Sequence, residues 1–157
     1  MTSWALARAL HVLGVVFWIG GVAMVTTVLL PALRRTHSGA ERIRLFEEIE
    51  GRFAAQSRVT TAVVGATGLY LVHALDLWSR FAEPAYWWMD AMVGLWAIFT
   101  VMLFVLEPFV LRRRIARRAE EAPEETFRWM LNLHRILLAA SVITVLGAVA
   151  GAHGLLF

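Results

Sequence analysis

Four apolar runs dominate this sequence, and each is long enough to cross a lipid bilayer. They cover about 4–33, 59–77, 85–111 and 131–157, and a helix needs ~20 apolar residues to span the hydrocarbon core. Each run is too long and too evenly apolar for a strand. A helix also satisfies its own backbone hydrogen bonds where no water is present. The expected fold is therefore all-α: a four-transmembrane-helix up-down bundle in a single domain, 1–157. Composition agrees, with 59% hydrophobic and 17% charged residues against roughly a half and a quarter in soluble domains. The first run does not read as a cleaved signal, because it lacks a basic leader, is too long, and is followed by no small-residue cleavage site.

The connections set the expected orientation. Arg34, Arg35, Arg42, Arg44, Arg52 and Arg58 follow the first run, and Arg112, Arg113, Arg114, Arg117, Arg118, Arg128 and Arg135 follow the third. Only Arg8 and Arg80 lie elsewhere, and lysine is absent. By the positive-inside rule the loops 34–58 and 112–130 are cytoplasmic, and both chain ends face outward. This implies a multi-pass protein of a bacterial-type inner (cytoplasmic) membrane. The net charge of +3 does not point to nucleic acid, since the arginines flank apolar runs as topology signals do. Within the first loop, Ile43, Phe46, Ile49 and Phe53 recur at helical spacing among charged residues. That pattern predicts a short amphipathic helix on the inner surface or capping the bundle. Glu120, Glu121, Glu124 and Glu125 read as a solvated turn before the last helix, and Trp4, Trp78, Trp87 and Trp88 as an interfacial belt.

Ionisable groups within apolar helices are the candidates for chemistry. The absence of cysteine removes disulfides, thiolate nucleophiles, iron–sulfur clusters and attached c-type haem. In the expected topology His11, His73 and His153, with Asp90, fall in one layer near the outer face, one from each helix. His37 falls in the first loop and His134 at the inner start of the last helix. Two imidazoles from facing helices suit the iron of b-type haem. Gly14, Gly20, Gly21, Gly65, Gly68, Gly147, Gly151 and Gly154 would let helices part around the ring, and Trp18, Phe17 and Tyr70 would line it. The same layer suits copper, with Met89 and Met92 beside Asp90. The alternative reading of the glycines is close helix packing, for which Gly147 and Gly151 have the small-xxx-small spacing. Glu107, before Pro108, is expected to pair with an arginine of the inner surface, such as Arg135, or to relay protons.

The run Ala9-Leu10-His11-Val12-Leu13-Gly14, followed by Phe17-Trp18-Ile19-Gly20-Gly21, resembles the first helix of two related membrane families, the copper-resistance protein D (CopD) family and the HemJ-type protoporphyrinogen oxidases. Thr67-Gly68-Leu69, and Phe127-Arg128 with Leu131-Asn132, resemble later HemJ helices. The resemblance implies a four-helix bundle and a b-type haem with His11 as one axial ligand, leaving His73 or His153 as the second. The lysine that HemJ proteins carry near the third helix has no counterpart, since that region reads Trp87-Trp88-Met89-Asp90. The expectation is a membrane-embedded b-type haem protein with a redox or electron-transfer role near the outer face, a haem-dependent oxidoreductase working with quinone, an oxygen species or a redox partner. The alternatives are CopD-type copper binding, transport or resistance, HemJ-type porphyrinogen oxidation, and a purely structural partner subunit. A glycine-rich face would serve a homodimer.

Overall fold

The computed structural model describes residues 3–36 and 38–155, which are helical throughout apart from short links, with no strand among them. His37 lies outside the described residues. The first helix, α1 (Ser3–Met24), passes through a π-helical segment, Val25–Leu29, into α2 (Leu30–Thr36). Then comes α3 (Gly39–Ala74), a turn with two short 3₁₀ segments (Trp78–Ala82 and Pro84–Tyr86), and α4 (Trp87–Val101). A second π-helical segment, Met102–Leu111, joins α4 to α5 (Arg112–Glu121), and α6 (Pro123–Ala152) closes the chain. Both widened segments accompany a proline, Pro31 and Pro108. A proline removes one N–H and crowds the carbonyl a turn earlier, and a wider turn relieves that crowding.

Consecutive long helices run antiparallel. Between α1 and α3, Ser3 meets Tyr70, Gly14 meets Val64 and Gly21 meets Phe53. Between α3 and the α4 helix, Thr61 meets Trp96 and Arg58 meets Glu107. Between α4 and α6, Trp88 meets Gly151. The result is an up-down bundle with two apolar centres. One gathers Trp18, Val22, Val64, Leu95, Phe99 and Leu137. The other packs Leu30, Leu33, Phe46, Phe127, Met130 and Leu131 at the arginine-rich end.

Among the described residues three helices are long and apolar enough to cross a membrane: Ser3–Arg35, Pro84–Leu111 and Pro123–Ala152. Their outward faces are apolar, with Val16 at 61%, Phe109 at 71% and Ile136 at 66% exposure, which water would penalise and lipid would not. α3 is not among the three; it ends at Ala74 and not at 77, so its apolar stretch from Val59 is shorter than expected, with Arg58 directly before it and His73 within it.

Several expectations need correction. The amphipathic segment is no separate short helix but the first half of the 36-residue α3. Its Ile43 and Phe46 are buried, as a cap on the bundle requires, whereas Ile49 is exposed. The last helix starts at Pro123, not near 131. Proline suits its first position, where an N–H would lack a partner in any case. The acidic stretch there is also more than a solvated turn, since Glu124 accepts from the buried Arg42 at 3.0 Å. Trp88 is buried over Gly147 and Gly151 rather than standing in a belt, while Trp4, Trp78 and Trp87 are exposed.

Candidate functional site

His11 is set into the seam between α1 and α3. Its Nδ1 lies 3.1 Å from the carbonyl oxygen of Val64 and 3.2 Å from Thr67 Oγ1. A carbonyl only accepts, and the Thr67 hydroxyl already donates to Val63 at 2.6 Å. Both neighbours therefore act as acceptors, which places the proton on Nδ1. The lone pair is then on Nε2, which has no hydrogen-bond partner among the described residues. A backbone carbonyl on one ring nitrogen is the usual way a protein orients a ligating imidazole and raises its basicity.

The other histidines do not join it. Along α3 the face towards α1 is marked by Val64, Thr67 and Gly68. His73 follows Val64 by nine residues, and at ~100° per residue this is the opposite side of the helix. It is exposed. His153 caps the end of α6, exposed, with Nδ1 on the Val149 carbonyl at 2.8 Å. Asp90 is exposed too, while the adjacent Met89 is buried and Met92 half-buried. Among the described residues no three His, Asp or Glu side chains come together as a metal site. The outer layer of the sequence reading is thus three separate imidazoles, only one of them held from a neighbouring helix.

Most of the glycines follow the packing alternative, whereas Gly20 and Gly154 meet nothing within 4 Å. A Cβ at Gly14 would stand 2.7 Å from Val64, one at Gly65 2.6 Å from the Trp96 ring, and one at Gly147 2.6 Å from Trp87. Gly68 carries the His11 imidazole, with Cε1 3.1 Å from where its Cβ would be. Trp18 is buried edge-on against Phe99, with ring centroids 4.9 Å apart. Trp96 donates its Nε1–H to the Thr61 carbonyl at 2.9 Å. Phe17 and Tyr70 are exposed, and the Tyr70 hydroxyl donates to Ser3 Oγ.

A second polar centre lies towards the arginine-rich end. Arg58 reaches from α3 to the π-helical segment, where Nη2 meets Glu107 Oε2 at 2.5 Å and Nε donates to the Leu103 carbonyl at 3.0 Å. Glu107 thus pairs with an arginine as expected, but with Arg58 and not the exposed Arg135. Arg58 was not singled out by sequence reasoning. The signal for it was Pro108, which promises an unserved carbonyl within an apolar helix and so a need for a donor nearby.

No family model, curated protein or solved structure matches the chain.

Proposed function

We propose that this chain is a multi-pass protein of a bacterial-type inner membrane, of the CopD and HemJ type, with a redox role carried by b-type haem on His11. One observation carries the reading. The two stretches most like those families, Leu10-His11 and Thr67-Gly68, meet in space, and their contact leaves the His11 Nε2 lone pair without a partner among the described residues. Bound haem would supply one-electron chemistry at iron. The chain's part would be to hold the iron through His11 Nε2, with the Val64 carbonyl fixing the tautomer and Thr67 steadying the ring. Among the described residues no second imidazole faces His11, so the proposal is of a haem with one protein ligand per chain. The topology belongs to the same proposal: α3 is the fourth crossing, and the arginine-rich loops lie in the cytoplasm. Its support is the distribution of the arginines.

The test is the absorption spectrum of detergent-purified protein, oxidised and dithionite-reduced, with a pyridine haemochrome assay. A Soret band of high-spin, five-coordinate type is expected. It should vanish in His11→Ala and persist in His73→Ala and His153→Ala. A colourless protein from haem-replete cells, or a spectrum indifferent to His11, would end the haem reading.

A further inference from the structure

The end of the bundle that holds Arg58 also encloses a cavity of about 80 Å³, walled in part by Trp18, Phe53, Ser57, Phe99, Trp129 and His134. A water needs ~10–15 Å³ of such space, so this one admits several waters or a flat ring. Two wall residues carry donors without acceptors. Trp18 is 4% exposed and Ser57 2%, and neither the Trp18 Nε1–H nor the Ser57 hydroxyl has a hydrogen-bond partner among the described residues. Buried polar groups are almost always paired, so each of these two donors awaits an acceptor. His134 offers the complement: its Nδ1 bonds the Met130 carbonyl at 2.9 Å, which leaves Nε2 as an acceptor.

Charge narrows the class of occupant. Arg58 is already neutralised by Glu107, itself a wall residue, and Glu50 adds a further carboxylate to the wall. Among the described wall residues an anion would find no spare cation. The wall along Met102, Leu103, Glu107 and Leu111 is the π-helical segment, the kind of irregularity found often at functional sites. Trp129 stands 47% exposed at the rim, marking the way to lipid.

We propose that this cavity binds the headgroup of a lipid-borne quinone. A quinone is neutral and planar, with carbonyl oxygens for the Trp18 and Ser57 donors and a ring for the aromatic walls. Its reduced form has hydroxyls for His134. The proposal rests on the bundle lying in a membrane, and not on haem at His11.

Calorimetric titration of the detergent-solubilised protein with a ubiquinone analogue bearing a ten-carbon tail tests it, with decanoate as the anionic control. Saturable binding at one quinone per chain is expected, with decanoate inert. Ser57→Ala should weaken binding roughly five- to tenfold, as loss of one hydrogen bond does. The same change should leave the melting temperature of the ligand-free protein unchanged or higher, because it removes an unpaired hydroxyl. Trp18→Phe should weaken binding comparably. Unsaturable partitioning, equal affinity in Ser57→Ala and wild type, or decanoate binding as tightly would each overturn the proposal. The titration is read on haem-free and haem-loaded fractions separately, so its failure stands apart from a failure of the haem spectrum.

Discussion

Arg58 Nε donates to the carbonyl oxygen of Leu103, the acceptor that Pro108, five residues on, cannot serve. In a π-helix the N–H of residue 108 would reach back to residue 103, and proline has none. A side chain from the neighbouring helix fills the vacancy, and its other nitrogen pairs with Glu107. The irregular turn of one helix is thus completed by its neighbour.

This predicts an energetic coupling. Arg58→Ala strands both the Glu107 carboxylate and the Leu103 carbonyl. It should cost about 1–3 kcal/mol, below the figure for a fully buried pair, because Arg58 is partly exposed. Pro108→Ala restores a backbone N–H and should make Arg58→Ala milder. A double-mutant cycle by chemical unfolding in mixed micelles measures this. Strict additivity would show that the two positions do not share the carbonyl.

Gly65 and Gly94 make a matched pair. Alanine at 65 drives into the Trp96 ring and disturbs its bond to Thr61, for an expected cost of about 1–3 kcal/mol. Alanine at 94 meets nothing within 4 Å and should be neutral or slightly stabilising. Thermal unfolding of the two variants decides it, and equal melting points would count against the close α3–α4 packing.

At the capping end the two partners of one ion pair should respond unequally. Arg42 is buried, bonded to Glu124 and stacked over Phe127 at 4.8 Å, whereas the Glu124 side chain is 65% exposed. Arg42→Ala loses stem packing and ring contact as well as charge, and should cost about 2–4 kcal/mol. Glu124→Gln should cost under about 1 kcal/mol. Unfolding midpoints of both variants check the ratio.

The absence of cysteine makes orientation simple to measure. Ser79→Cys and Arg117→Cys place single thiols at exposed positions on the two ends of the bundle. A membrane-impermeant maleimide should label residue 79 in intact spheroplasts and residue 117 only after lysis. The reverse pattern would invert the topology.

The long helices, and the arginines that bracket them, were legible because apolar length and charge are local properties. The continuity of α3 was not, since its polarity changes midway while its backbone does not. Glu107 advertised an ion pair through its cost in an apolar helix, but which arginine answered depended on how α3 sits against the π-helical segment. The histidines show the limit most clearly. His11 and His73 could be placed at similar depth from their distance along each helix, yet depth says nothing of rotation. Only once Val64 and Thr67 are known to face α1 does the nine-residue step to His73 put it on the far side. The clasp of Arg42 on Glu124 joins residues 82 apart, with no local pattern to announce it.

The 36 residues of α3, at ~1.5 Å each, make a rod of about 54 Å, well beyond the ~30 Å of a hydrocarbon core. No proline or widened turn interrupts it, in contrast to the first and third apolar helices, whose π-helical segments are joints. It therefore runs without a joint from the Thr67–His11 contact in one half of the bundle to the Arg42–Glu124 pair at the other end.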